Sequence, residues 1–148
     1  MSFYNDVSSK IALADTRVRE YEESCMKKAF FLTKTVGESL GWPAGEIKNP
    51  GYAEQRLPSG AKLLPTGYMD SDGRFTFVIR LTHGHYAFAH EYRVYLDDNA
   101  WTLDDVAEEV GPVTFYENDL KTLSSHVASL RRKINDFVTK VTYEKRWA

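Results

Sequence analysis

The chain has 148 residues, 43% of them hydrophobic and 27% charged, which suits a globular chain of one-domain size and not a disordered one. Lys plus Arg number 19 against 21 Asp plus Glu, so neither a polyanion binder held by bulk charge nor an acidic mimic of nucleic acid is expected. A single cysteine, Cys25, excludes an intrachain disulfide and any zinc site built from cysteines.

The spacing predicts a helix over 8–41. Apolar residues fall at Ile11, Ala14, Val18, Tyr21, Cys25, Ala29, Leu32, Val36 and Leu40, in steps of three or four. Asn5, Asp6 and Ser8 are candidate N-caps, and Gly41 before Trp42-Pro43 is a strong stop. Such a helix is about 50 Å long. A compact chain of this size has a radius of gyration of about 15 Å. Either the helix bends, with Gly37 as the weak point, or part of it projects and needs a partner. That excess favours a homo-oligomer, most simply a dimer. No stretch resembles a signal peptide, and Ala29-Phe30-Phe31-Leu32 is far too short to span a bilayer. The expected setting is cytoplasmic, with no membrane association and Cys25 as a small core residue.

Residues 43–60 read as a loop, with turn signals at Asn49-Pro50-Gly51 and Pro58-Ser59-Gly60. Over 61–97 an antiparallel meander is expected, with tight turns at Asp72-Gly73 and His83-Gly84. The first turn sets Phe77 opposite Tyr68 and Leu81 opposite Leu64. The second sets Leu81 opposite Tyr86, Ile79 opposite Phe88, Phe77 opposite His90 and Phe75 opposite Tyr92. Both turns then place the apolar sets of three strands on one face, to be covered by helix. The other face carries Arg74, Thr76, Val78, Arg80 and Thr82, and then Ala87, Ala89, Glu91, Arg93 and Tyr95. It is either a solvated face or a docking surface.

From Thr102-Leu103-Asp104-Asp105 a short helix is expected to Val110, followed by a possible edge strand near Val113–Tyr116. Asn118 or Asp119 caps a second long helix, 119–143. Its Leu120, Leu123, Val127, Leu130, Ile134, Phe137 and Val141 form a heptad seam, a coiled-coil-like pattern. The two long helices are expected to pair as an antiparallel hairpin or with copies of themselves. The fold class is therefore α+β: a long N-terminal helix, a three- to four-stranded meander, a short helix, and a heptad helix packed on one face of the sheet.

Charge is segregated. Asp97 to Asp119 holds eight acids and no base, whereas Lys121, Arg131, Arg132, Lys133, Lys140, Lys145 and Arg146 follow it. Mutual neutralisation explains this most simply. A dock for a basic partner, anchored by Trp101 beside Asp104 and Asp105, is the functional alternative. Arg131-Arg132-Lys133 points in different directions around a helix, with no interleaved aromatics, so nucleic acid is not an expected partner. Trp42, Trp101, Tyr95, Tyr116, Tyr143 and Trp147 are not clearly internal and lean towards recognition.

Chemistry-bearing sets are sparse. His83, His85 and His90 do not converge in the expected register, and His90 reads as a core histidine bonded to a tyrosine or the backbone. His126, placed beside the seam, is a poor base for Cys25. Phosphate-loop, nucleophile-elbow and zinc-helix motifs are absent from the sequence. The order of helix, meander, loop and helix is similar to that of ubiquitin-conjugating domains. No cysteine follows the meander, so that family's thioester chemistry is not expected here.

The expectation is a non-catalytic protein-binding protein of the inhibitor, adaptor or immunity type, dimeric and without cofactor or metal. Its partner-binding residues would be Arg74, Arg80, Arg93, Glu91, Trp101, Asp104 and Asp105. The alternative is a binder of a small anionic, nucleotide-like ligand, held between sheet and helices by Arg80 and tyrosines. A metal-dependent hydrolase using His83, His85 and a carboxylate is a third reading.

Overall fold

A computed structural model describes residues 2–147, with the side chains of Arg56 and residues 142–147 left aside. The expectations for the side chains of Tyr143, Lys145, Arg146 and Trp147 lie outside the described residues. The fold is α+β: helix α1 (Phe3–Ser39), strands β1 (Lys62–Leu64), β2 (Gly67–Met69), β3 (Phe75–His83), β4 (Tyr86–Asp97), β5 (Ala100–Asp105) and β6 (Val113–Thr114), and helix α2 (Ser124–Trp147). The six strands form one antiparallel sheet in chain order. Six strands, not three or four, make the meander.

Helix α1 starts earlier than its periodicity predicts because the Ser2 hydroxyl accepts from the Asn5 N–H. It stops where expected. Gly41 takes a positive φ of 75°, and the Gly41 and Trp42 N–H groups return to the carbonyls of Glu38 and Gly37. The Trp42 indole then donates to the Thr82 carbonyl at 2.8 Å, which fixes the exit of the chain. No bend is needed at Gly37. Its missing side chain instead makes room for Ile47, whose Cδ1 would sit 2.6 Å from an added Cβ.

The two expected turns are both displaced, with different consequences. The β3–β4 turn is Gly84-His85, pairing His83 with Tyr86, Leu81 with Phe88, Ile79 with His90 and Phe77 with Tyr92. Gly84 has φ 58°, as the first central residue of a II′-like turn requires, so glycine leads the turn and does not close it. The slip is two residues, which preserves the face. The loop between β2 and β3 spans Asp70 to Arg74. Asp70 Oδ1 accepts from the N–H groups of Asp72 and Arg74 at 2.9 and 3.0 Å, which lengthens the turn. Tyr68 therefore faces Thr76 and Met69 faces Phe75. This slip of one residue corrects the Tyr68–Phe77 pairing and turns Met69 inward. The first expected strand is itself a hairpin, with Leu64 opposite Gly67.

The largest correction concerns 102–110. No short helix forms at Thr102, because Asp98 and Asn99 adopt φ 52° and 62° and reverse the chain. Residues with both turn positions left-handed make a tight hairpin. Strand β5 then pairs with β4, Asp97 opposite Ala100 and Tyr92 opposite Asp105. The edge strand β6 is present beside it.

Both helices lie on the inner face of the sheet. Cys25, Ala29, Leu32 and Val36 of α1 meet Phe75, Phe77, Ile79 and Leu81 of β3, together with Tyr92, Val94 and Leu103. Leu123, just before α2, and Val127, Leu130 and Ile134 along it belong to the same core. Leu120 is left exposed in a short 3-10 turn. The helices do not pair as an antiparallel hairpin. Tyr21 lies level with Gly73 and Leu96, and Trp42 level with Thr82. His126 stacks edge-on to Tyr92, and Phe137 to Phe88 and Tyr86. Both helices thus run the same way along β4. Core side chains fill the space between α1 and the centre of the sheet.

Residues 3–20 of α1 run beyond this body. All are exposed except half-buried Val7.

Candidate functional site

Strand β4 has 12 residues, but β5 pairs only with its second half, from Tyr92 to Asp97. After Asp105 the chain turns away. The Val106 N–H makes a last bond to the Glu91 carbonyl at 3.3 Å, and the Ala107 N–H is held by Asp105 Oδ1. Backbone groups in a strand alternate sides, so those of Ala87 and Ala89 point the same way as Glu91, towards the vacant side. No described residue pairs with them there. The opposite edge of this hairpin is closed. Residues 47–51 run alongside β3, with Lys48 N–H donating to Arg80 O and Val78 N–H to Gly51 O.

The open edge lies between two recesses. On the outer side a cleft of about 610 Å³ is lined by Gln55, Val78, Arg80, Ala89, Glu91, Val106 and Lys133, among others. On the inner side a groove of about 230 Å³ runs between the edge and α2, lined by Phe88, Leu130, Lys133, Ile134 and Phe137. It continues into an apolar recess of about 300 Å³ beside Trp42, Tyr86, Val138 and Val141. Phe137, on the seam, and its neighbour Val138 are 39% and 49% exposed, a large apolar surface.

A chain of polar groups positions this edge. His90 lies on the inner face of β4, and its Nε2 lies 2.6 Å from Asp105 Oδ1. Nε2 therefore carries the proton and donates, while Lys133 Nζ sits 3.1 Å from Nδ1 and 3.4 Å from Nε2, close to both ring nitrogens. Lys133 also pairs with Glu109 at 3.3 Å. Burial pushes the Asp105 carboxyl up, but the His90 bond, the Ala107 N–H and the positive charge of Lys133 outweigh it and hold the pKa below its ordinary value. Asp105 is 1% exposed, so removing one partner of this set would strand a buried charge, at about 3–5 kcal/mol. Every member is bonded to another. The arrangement clamps α2 to β4 and β5.

The expected partner-binding residues divide between the two faces. Arg74, Arg80, Glu91, Arg93 and Asp104 lie on the outer face. Arg74 is exposed and stacks on Tyr95, and Arg93 pairs with Asp104 at 3.2 Å across the strands. The guanidinium of Arg80 has no partner among the described residues. Asp105 and Trp101 face inward. Asp105 does not reach the surface, and Trp101 is stacked on Tyr21 beneath Lys28. The acidic stretch is met by bases from elsewhere, Lys28 with Glu117 at 2.8 Å and Lys133 with Glu109. Lys133 thus turns inward and is not part of a basic patch with Arg131 and Arg132.

Sequence reasoning missed the role of His126. It is 1% exposed and neither ring nitrogen makes a hydrogen bond of good geometry. Burial pushes its pKa down, opposed by Asp105 and Asp104 and by the carbonyls of Leu103 and Gly111. The open edge was also missed, since it depends on where β5 ends. The Asp98-Asn99 pair between two apolar alternations was the available signal. Cys25 is fully buried, with its thiol pushed up to about 11 mainly by burial. Among the described residues no group of three or more His, Cys, Asp or Glu is placed to hold a metal ion, and no helix is long and apolar enough to cross a membrane.

No protein-family model, curated protein or solved structure matches this chain.

Proposed function

We propose that the chain is a non-catalytic protein-binding protein, of the inhibitor, adaptor or immunity type, that works as a homodimer held by the projecting half of α1. The observation that carries this reading is the arm itself. Tyr4, Val7, Ile11, Ala14 and Val18 follow the same three-four spacing that buries Cys25, Ala29 and Leu32 in the body. Tyr4, Ile11 and Val18 are 76%, 56% and 53% exposed. A helical arm that packs against nothing is held by propensity alone, whereas most helical stability in proteins comes from packing of an amphipathic face. A matching stripe from a second copy would cover it in coiled-coil fashion. Asp6, Asp15 and Glu20 balance Lys10, Arg17 and Arg19, so no net charge on the arm opposes its own copy.

Sedimentation equilibrium tests the reading. A dimer at micromolar concentration is expected, and the Ile11→Asp, Val18→Asp double variant should sediment as a folded monomer. A wild-type chain that stays monomeric at about 100 μM, a concentration at which only associations weaker than about 5 kcal/mol would escape notice, defeats the proposal.

A further inference from the structure

We infer that the open side of β4 accepts an extended segment of a partner protein, one whose side chains alternate between apolar and acidic. This rests on the protein-binding reading but uses a surface separate from the α1 arm. Ala87 and Ala89 present unpaired N–H and C=O groups with small side chains that obstruct nothing. Native edges of this kind are normally blunted by charge, proline or a bulge. Here no proline or bulge interrupts 86–91, whose pairing with β3 runs in unbroken register. An added strand would satisfy the backbone groups, and its side chains would alternate between the two recesses.

The recesses differ in chemistry. Those side chains pointing inward meet Phe88, Ile134 and Phe137, which calls for apolar residues. Those pointing outward lie over Ala89 towards Arg80, which sits directly across from Ala89 in the ladder. Its guanidinium has no described partner, and a carboxylate on the incoming strand complements it.

Fluorescence anisotropy with short synthetic peptides tests this on the full chain, with amide NMR locating the site. A peptide of alternating valine and glutamate should bind and shift the amide signals of Ala87 and Ala89. Its valine–lysine counterpart should bind at least about tenfold more weakly, a difference of about 1.4 kcal/mol. Arg80→Glu should reverse that preference. Ala89→Pro removes an outward N–H without touching the β3 ladder, so it should fold and not bind. Should that variant fail to fold, methylating the peptide's own backbone nitrogens makes the same test, and binding should vanish. The inference is overturned if neither peptide binds at millimolar concentration, if both bind alike, or if backbone methylation changes nothing. It is equally overturned if Ala89→Pro converts a dimer to a monomer, since a second copy then fills the edge. The Ile11→Asp, Val18→Asp variant should keep peptide binding, so failure of the arm and failure of the edge are told apart.

Discussion

Substituting Gly67 tests the register of β2 directly. An added Cβ at this position would lie inside contact distance of the Thr76 carbonyl oxygen and 2.7 Å from Cζ of Phe75. Neither can yield easily. Thr76 is held in the ladder opposite Tyr68, and Phe75 is completely buried in the core. Overpacking of this kind costs about 1–3 kcal/mol, and a backbone obstacle places it at the upper end. Replacing glycine also restricts the unfolded chain, which returns about 0.4–1 kcal/mol. Gly67→Ala should therefore destabilise by about 2 kcal/mol. For a chain of this length that is a fall in Tm of roughly 4–8 °C. Urea unfolding followed by circular dichroism gives the free energy, and Gly45→Ala is the control, since nothing lies within 4 Å of an added Cβ there. If the two variants unfold within about 0.5 kcal/mol of each other, the close approach of β2 to β3 is wrong.

Two titrations probe the core. His126 has a folded pKa pushed below 6.5, so its protonation favours the unfolded chain, and its contribution is intact above that value and fades as pH falls below it. The wild-type chain should lose stability between about pH 7 and 5 with a slope up to one proton steeper than His126→Phe, about 1.4 kcal/mol per pH unit, measured by urea unfolding; identical slopes would contradict the burial of that imidazole. Cys25 has the opposite sense, its thiol raised from 9.0 to about 11, so the stability it lends is whole below pH 9 and declines as pH rises towards 11. At pH 8 the native thiol should react with an aromatic disulfide reagent at least about a hundredfold more slowly than in concentrated urea, and equal rates would place it at the surface.

The stripe of α1 and the seam of α2 were readable because a helix with one buried face repeats its demand every three or four residues. The shared face of β3 and β4 was readable for the analogous reason, and it survived a misplaced turn because the error was even. The β2 register was not, because it depends on Asp70, whose carboxylate accepts two backbone N–H groups and adds length to a loop that Asp72-Gly73 alone would have closed. Strand β5 was lost to a local resemblance: acidic residues after a threonine look like a helix start, while two left-handed residues upstream had already reversed the chain. With β5 unseen, the partner of His90 could not be found, nor could the point at which β4 loses its neighbour. Of the proposed contact residues, those on β3 and β4 were correctly placed on the outer face. Trp101 and Asp105 were misjudged because their orientation depended on strand pairing that helical reasoning does not supply.

The run of backbone bonds at residues 47–51 sets how many strands the sheet can recruit. With β3 stitched along that flank and the terminal strands β1 and β6 only three and two residues long, a single long lateral vacancy remains among the described residues. A body with one vacancy can be joined once and then stops. That permits recognition through main-chain pairing without open-ended growth into fibres.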